Sequence, residues 1–510
     1  MTPLTRRLTA GAACAAVAAV GLTACGDDEP ADLDTISMMV PLLGSQAPAA
    51  DSELQQAVEE MIGKELDLTW VPNSDYNDRM TVTLASDDLP HVMVVQGKVP
   101  AFVQSAQAGA FWDLTDKLAD YPNLTAEDDQ ILLNSSINGD NYGVFRLRDP
   151  MRTAVIIRQD WLDNLGLELP ETTDDLYDIA RAFTEDDPND SGDDDTYGVV
   201  IPQWPGGYAT ASPYDVIETW FGAPNGWGEQ GGQLVPGFDT PEFLAANQFV
   251  KQMIDEGLIN SDFATMDSGT WDQPFFNGQG GIIIDVSSRA GVIMNLFKDQ
   301  DPDNYGDYVA MTGNLAGPDG VLRSYPTIGY NGFLAISRQS VQTEEELDEV
   351  LSVLDAMSSQ EAQILLNNGI EGRNFEVQDG FAVPIEGGDS DVEVLRNDVT
   401  SFAQLGTQSN GWLAYDVLPE GGPERELWDH RQEVHESDLA TAVHNPAQPL
   451  VSETYVTRGA QLDLIIADAR IQYLAGQIDE DGLAAEIERW YAEGGQQVVD
   501  EMNELYAQLD

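Results

Sequence analysis

The chain has 510 residues, with 89 acidic against 23 basic side chains, and its net charge is −66 at neutral pH. A field this negative repels nucleic acid and anionic polymers, so it excludes nucleic-acid binding and weighs against a polyanionic ligand. The length predicts two or three domains. The two cysteines are Cys14 and Cys25. The chain beyond them therefore has no disulfide, no thiol catalysis and no thiolate metal site.

The amino terminus predicts export and anchoring. Two arginines precede an uncharged stretch over residues 8–21, which is too short to cross a bilayer as a stable helix. Residues 22–25, LTAC, resemble a bacterial lipobox. We predict a signal peptide over residues 1–24, a lipidated Cys25 with a tether over residues 25–34, and anchoring to the outer face of the membrane through lipid alone. A plain signal peptide with an incidental cysteine is the alternative.

The pattern of the next 60 residues predicts an α/β domain. Apolar runs over residues 35–40, 66–71 and 91–95 are typical of strands. Amphipathic stretches over residues 51–63 and 76–86 are typical of helices. The β-α-β-α-β order predicts parallel strands.

A second unit begins near Thr153. Its first helix follows Thr172, which is a plausible N-cap with Asp175 as capping-box partner. Further elements are predicted as a helix over 241–256, strands over 280–285 and 332–337, one long helix over 344–367, and helices over 457–474, 479–490 and 496–509.

A loop with regularly spaced oxygen side chains follows that first helix. Positions 1, 3, 5, 7 and 9 of the loop are Asp187, Asn189, Ser191, Asp193 and Asp195, with Gly192 at position 6. This is the first part of an EF-hand loop, and such spacing wraps Ca²⁺ with oxygens. Position 12 is Gly198 in place of a bidentate Glu, so the loop is not a complete EF-hand. We predict a structural Ca²⁺ here, with a solvated acidic loop as the alternative.

Aromatic residues cluster on Gly- and Pro-rich segments in the middle of the chain. Sugars stack their C–H faces on aromatic rings and leave their hydroxyls for polar side chains. Core packing is the alternative for any single tryptophan, but the cluster as a whole favours a carbohydrate platform. The candidate ligand-binding residues are Trp204, Tyr208, Trp220, Trp227 and Trp271, with Asp285, Arg289, Tyr330 and Arg373 as polar partners.

No catalytic motif stands out. The four histidines do not form a zinc spacing such as H-E-x-x-H, and there is no G-x-S-x-G, P-loop or dinucleotide fingerprint in a suitable context. We therefore predict a binding protein without catalytic residues.

Six blocks in order carry a family resemblance. They are residues 75–90, 157–166 (IRQDWLDNLG), 170–183, 187–198 (DPNDSGDDDTYG), 368–372 (NGIEG) and 494–505. The chain resembles the lipid-anchored extracellular solute-binding proteins of ABC sugar importers, of family 1 type. The similar branch is the large one that includes alginate-oligosaccharide-binding proteins.

The resemblance implies a two-lobed α/β fold of the type II periplasmic-binding-protein kind, with the ligand in a cleft between discontinuous lobes. Lobe 1 would comprise residues 35–150 and about 331–400, and lobe 2 residues 151–330 and about 401–510. We expect a monomer that captures an oligosaccharide and delivers it to ABC permease subunits. Basic residues for a uronate are not evident, so a neutral sugar is expected. The alternatives are a cell-surface carbohydrate-active enzyme, a sensor lipoprotein that presents its ligand, and a peptide ligand.

Overall fold

The computed structural model describes residues 33–509 except 87 and 386–389, and the side chains of 390–392 are also left undescribed. The predicted signal peptide and Cys25 lie outside the described residues. The strands are β1 (Thr35–Leu42), β2 (Glu65–Pro72), β3 (Val92–Val95), β4 (Val144–Leu147), β5 (Thr153–Arg158), β6 (Tyr197–Val199), β7 (Trp227–Gln230), β8 (Gln233–Pro236), β9 (Gly280–Val286), β10 (Val309–Thr312), β11 (Tyr330–Ile336), β12 (Phe375–Gln378) and β13 (Phe381–Pro384).

The helices surround two sheets. They are α1 (Glu53–Ile62), α2 (Tyr76–Leu84), α3 (Pro100–Gln107), α4 (Asp129–Ser135), α5 (Gln159–Leu165), α6 (Thr173–Glu185), α7 (Pro213–Trp220), α8 (Pro241–Asp255), α9 (Gln273–Phe276), α10 (Ser288–Gln300), α11 (Glu344–Met357), α12 (Gln360–Asn368), α13 (Ser390–Phe402), α14 (Gly422–Leu439), α15 (Glu453–Leu474), α16 (Glu480–Trp490) and α17 (Gln496–Tyr506). No helix in the described part of the chain is long and apolar enough to cross a membrane.

The first sheet has the strand order β2-β1-β3-β11-β4. β1 pairs in parallel with both β2 and β3, which confirms the predicted parallel opening. β11 and β4 join the sheet antiparallel. β11 pairs with β3 only after the chain has passed through the second sheet. The core of the first lobe therefore contains residues that precede the second sheet in the chain and residues that follow it.

The second sheet has the order β10-β5-β9-β6 and is covered on both faces. Successive side chains of a strand point to opposite faces, and β5 shows this directly. Val155 and Ile157 pack into one core, and Ala154 and Ile156 into another. Burial on both sides explains why β5 is an unbroken apolar run.

Two chain crossings run directly between strands of the two sheets, and a third passage lies between α13, which packs on α1, and α14, which packs on β10. The first runs over residues 148–152 from β4 to β5, and the second returns before β11. They are hydrogen-bonded to each other: the Arg148 N–H donates to the Gly329 carbonyl (2.9 Å) and the Thr327 N–H to the Pro150 carbonyl (2.7 Å). Two sheets with separate cores, joined by paired crossings, form the two-lobed α/β fold.

Most predicted elements occur within a few residues of their expected bounds. Thr172 caps α6 in a capping box with Asp175, as predicted. The predicted single helix over residues 344–367 is wrong, because it is divided into α11 and α12. At the break, the Ser358 hydroxyl donates to the Leu354 carbonyl and the Ser359 hydroxyl accepts the Ala362 N–H, so Ser359 begins a new helix.

Candidate functional site

A cavity of about 380 Å³ lies where the two crossings meet the lobes. Its lining combines both crossing segments with residues of α4 and β9 and with the segment that precedes α15. The lining includes Asn134, Arg148, Arg152, Trp204, Asn225, Asp285, Tyr325, Thr327, His444, Asn445 and Gln448. The volume and the mixture of one indole with amides and charged groups suit a polar organic ligand.

Trp204 forms the aromatic part of this lining. Its indole N–H donates to Thr210 Oγ1 (3.1 Å), and its ring stands edge-on against Trp271 at 6.0 Å between centroids. Trp271 is buried beneath it, and the Arg289 guanidinium lies 4.7 Å from the Trp271 ring centroid. Arg289 in turn binds Asp285, which lines the cavity. Four sequence-predicted residues are thus brought together in one wall.

The loop that carries Trp204 is anchored to α15. Arg470 of that helix is buried and donates to Asp215 Oδ1 (2.8 Å) and Glu218 Oε1 (3.1 Å) on α7. The other oxygen of Asp215 accepts the backbone N–H of Thr210 (3.0 Å), within the loop itself. Burial raises the pKa of Glu218 to about 7, and the Arg470 guanidinium opposes that rise. The ion cluster therefore holds one wall of the cavity in place.

A second cavity of about 440 Å³ adjoins the first and shares Ala209, Asn445 and Gln448 with it. Tyr208 and Trp227, both predicted from the sequence, line this second cavity. The Lys98 ammonium reaches across from the other lobe and donates to the Gln448 carbonyl (2.6 Å). The paired cavities thus extend the candidate site toward apolar walls formed by α16 and α17.

The remaining predicted residues lie elsewhere in the fold. Trp220 is buried in the core of the second lobe, where its indole N–H donates to Asn314 Oδ1 (3.0 Å), so it offers no ring face to a ligand. Tyr330 lines neither cavity and is buried in the core of the first lobe, with a hydrogen bond between its side chain and Gln448, which lines both cavities. Arg373 is exposed and paired with Glu53 on the surface of the first lobe. Trp220 and Tyr330 are buried because large apolar side chains of helices and sheets pack into the cores, and Arg373 forms a surface ion pair.

The lining residues that the sequence did not single out are mostly polar. Arg148 and Arg152 flank the first crossing, and Asn445 and Gln448 precede α15. The available signal was the pair of arginines around Asp149-Pro150, at the end of the first α/β unit. Asn445 and Gln448 belong to no motif, and they join the cavity only because the chain comes back to the cleft just before α15.

The predicted calcium loop folds around Ser191. The Ser191 hydroxyl donates to Asp195 Oδ1 (3.0 Å), and the Ser191 N–H donates to Asp187 Oδ1 (2.9 Å). Gly192 has φ +80°, as the sharp turn requires, and its N–H donates to Asp187 Oδ2 (3.0 Å). Among the described residues, no three His, Cys, Asp or Glu side chains gather to hold a metal. The loop instead offers carboxylates mixed with amide, hydroxyl and carbonyl oxygens, which suits a hard cation.

A fold of two lobes around a polar cleft defines a class of ligand-binding proteins, and sequence comparison identifies the family. Residues 44–364 match the family described as bacterial extracellular solute-binding protein, and the chain belongs to that family. It is therefore a binding protein and not an enzyme.

Individual relatives agree along nearly the whole chain. The chain is similar to Lipoprotein LipO of Bacillus subtilis, with 43% identity over 96% of this chain and 97% of that one. It is also similar to the polygalacturonan/rhamnogalacturonan-binding protein YtcQ of the same species, with 32% identity over 92% and 90% of the two chains. An extracellular solute-binding protein from Bifidobacterium longum subsp. infantis has the same fold, with a TM-score of 0.70, 16% identity, and coverage of 93% and 98%.

Proposed function

We propose that this protein is a lipid-anchored receptor that captures an oligosaccharide in the cleft between its lobes and delivers it to the permease of an ABC transporter. The observation that carries the proposal is Trp204 in the cavity wall, with Asn225, Asn445 and Gln448 around the same space. An indole face with several amides matches the alternating apolar and hydroxyl surfaces of a sugar. The saccharide-binding relative YtcQ supports the ligand class.

The paired crossings are the proposed hinge. Residues 148–152 and 324–329 both line the cavity or bond across it, so a change in their backbone angles alters the width of the cleft. A saccharide that contacts both lobes binds the closed form better than the open form and shifts the population toward it. We propose that the first lobe comprises residues 35–150 and about 331–400, and that the closed, loaded form docks on the permease.

Two further features belong to the proposal. Cys25 would carry the lipid, and mass spectrometry of the membrane-extracted protein would show a diacylated amino terminus that Cys25→Ser abolishes.

The loop of Asp187, Asn189, Ser191, Asp193 and Asp195 would hold a structural Ca²⁺. Chelation would then lower the unfolding temperature of the purified protein, and Asp187→Ala would remove the response to added Ca²⁺. An unfolding temperature indifferent to Ca²⁺ in the unaltered protein would contradict the calcium assignment.

The binding proposal is tested by calorimetric titration with a panel of neutral and acidic oligosaccharides. We expect saturable binding by the unaltered protein and at least a tenfold loss of affinity in Trp204→Ala, because the alanine has no ring face on which a sugar can stack. The matched control is Trp412→Ala, since Trp412 is 51% exposed and does not line either cavity. Equal affinity in both variants, or no binding of any saccharide, would overturn the proposal.

A further inference from the structure

Two cations face the cleft without a counter-charge. Arg148 and Arg152 both line the first cavity, and no ion pair joins either guanidinium to a carboxylate among the described residues. The backbone of Arg148 is held by the hydrogen bond to Gly329, so the two side chains stay at opposite ends of one short crossing. Burial, and after it the like charge of Arg152, lower the pKa of Arg148. The pair is thus mutually repulsive in the free protein.

What distinguishes this pair is its location, because Arg146, which also has no ion pair among the described residues, is satisfied by backbone carbonyls, whereas Arg148 and Arg152 line one cavity. Some arginines elsewhere in the fold pair with carboxylates: Arg158 binds Asp160, and Arg470 binds two acids. Asp285 lines the same cavity, and Asp149 is adjacent to Arg148 in the chain. Asp285 accepts from Arg289, and Asp149 lies 3.1 Å from His435 Nδ1. Of the charged side chains that line the cavity, two are arginines and the third is Asp285, whose carboxylate is paired with Arg289.

The histidine in the cavity does not alter this balance. Burial lowers the pKa of His444 below its usual value, while Asp128 opposes the change. At neutral pH the imidazole is uncharged and can exchange hydrogen bonds with hydroxyl groups. The anion-binding capacity of the first cavity thus rests on the two arginines.

We propose that the cleft selects an acidic oligosaccharide, with a sugar carboxylate bound between Arg148 and Arg152. The inference rests on the proposed saccharide-binding function and specifies its ligand class. A guanidinium presents planar donors that match a carboxylate, and a bound carboxylate also removes the repulsion between the two cations. Trp204 then stacks on the ring of the same or the next sugar unit, and Asn225, Asn445 and Gln448 contact its hydroxyls.

The adjoining cavity continues the same charge pattern. Lys98 lines it, donates to a backbone carbonyl and has no ion pair among the described carboxylates. Burial lowers the pKa of Lys98 to about 7, so the side chain is partly neutral at pH 7 and its amine takes up a proton when an anion approaches. Because the two cavities share three residues, an oligomer that fills both places a second acidic unit within reach of Lys98.

The overall negative charge does not prevent such selection. At physiological ionic strength the Debye length is about 8 Å, so distant surface carboxylates are screened while the contacts inside the cleft are not. Long-range repulsion slows the approach of an anion, and the local arginines determine how long it stays. This accounts for acidic selectivity in a chain whose composition favoured a neutral sugar.

The experiment compares matched ligands by isothermal titration calorimetry. The probes are trimers of galacturonate, guluronate and mannuronate, each beside the same trimer with its carboxylates reduced to alcohols, and a sulfated trimer. We expect at least one uronate trimer to bind tenfold or more tightly than its reduced partner. In Arg148→Gln/Arg152→Gln that preference disappears, so the uronate trimer binds no more tightly than its reduced partner to the same variant. Arg79→Gln is the control, because Arg79 is exposed on the first lobe and lines neither cavity of the cleft.

Each other result has a defined meaning. Equal binding of a uronate and its reduced form overturns the acidic assignment but leaves saccharide capture intact. Tighter binding of the sulfated trimer overturns the assignment of a carboxylate. A uronate preference that survives in the double variant overturns the role of the two arginines. No binding of any saccharide overturns the proposed function and this inference together. Unfolding temperatures of the variants establish that they are folded.

Discussion

The buried ion cluster around Arg470 allows a quantitative prediction about stability. The side chain of Arg470 is 3% exposed, and those of its partners Asp215 and Glu218 are 4% and 5% exposed. Glu218 also accepts a hydrogen bond from Asn247 (2.9 Å), and the guanidinium lies 4.9 Å from the Tyr214 ring centroid. Arg470→Met keeps most of the side-chain volume but leaves two carboxyl groups buried without their cation.

We expect Arg470→Met to lower the free energy of unfolding by about 3–5 kcal/mol, the range for removing one partner of a buried ion pair. The matched control is Arg489→Met, because Arg489 pairs with Glu486 and Glu493 on the surface. Exposed pairs contribute about 0–1 kcal/mol. The loss in Arg470→Met should be smaller at pH 5 than at pH 8, because the orphaned carboxyl groups can then bind protons and shed their charge.

The assay is urea denaturation followed by tryptophan fluorescence and by circular dichroism, with coincident transitions required before free energies are compared. Adding Glu218→Gln to Arg470→Met should recover part of the loss at pH 8, because it removes one of the two buried charges. A loss no larger than that of Arg489→Met, or no recovery in the double variant, would refute the reasoning. Either result would mean that water, and not Arg470, solvates these carboxylates.

Two further predictions concern the backbone and pH. Gly332 has φ +93°, and a Cβ there would lie 2.1 Å from the Val95 carbonyl oxygen, so we expect Gly332→Ala to cost on the order of 3–5 kcal/mol in chemical denaturation. Gly97→Ala, with φ +110° and open space around its Cβ, isolates the backbone strain and should cost only about 1–2 kcal/mol; equal losses would contradict the predicted clash. Burial raises the pKa of Asp463 from 3.8 to about 6, so its contribution to stability falls as pH rises from 4 to 6 and is constant above that window. Asp463→Asn should therefore gain about 1 kcal/mol relative to the unaltered protein between pH 4.5 and 7, discounted for partial exposure, and parallel pH profiles of the two unfolding midpoints would contradict this.

Local patterns were enough to predict the elements and their class. The parallel β-α-β-α-β opening follows from hydrophobic periodicity, because a strand buried on both faces and a helix buried on one face repeat differently. The capping box of Thr172 and Asp175 was evident because its hydrogen bonds span only three residues. The division of residues 344–367 at Ser358 was missed although its cap is local, with the Ser359 hydroxyl accepting the Ala362 N–H, because the apolar periodicity continues across the break.

The candidate site shows what the sequence predicts about this protein and what only the tertiary structure determines. The sequence by itself indicated the family, export and an aromatic segment that contains Trp204, because these depend on residue type and on order along the chain. Only the tertiary structure separated Trp204 at the cleft from Trp220 in the core, because exposure depends on what the rest of the chain packs against each ring. It also brought Arg148 and Arg152 to the same cavity as Asn445 and Gln448, nearly 300 residues later. Charge in the cleft is a sum over such distant neighbours. Basic residues for a uronate were therefore not evident in the sequence, which led us to expect a neutral sugar, whereas we propose an acidic one from the two arginines in the folded cavity.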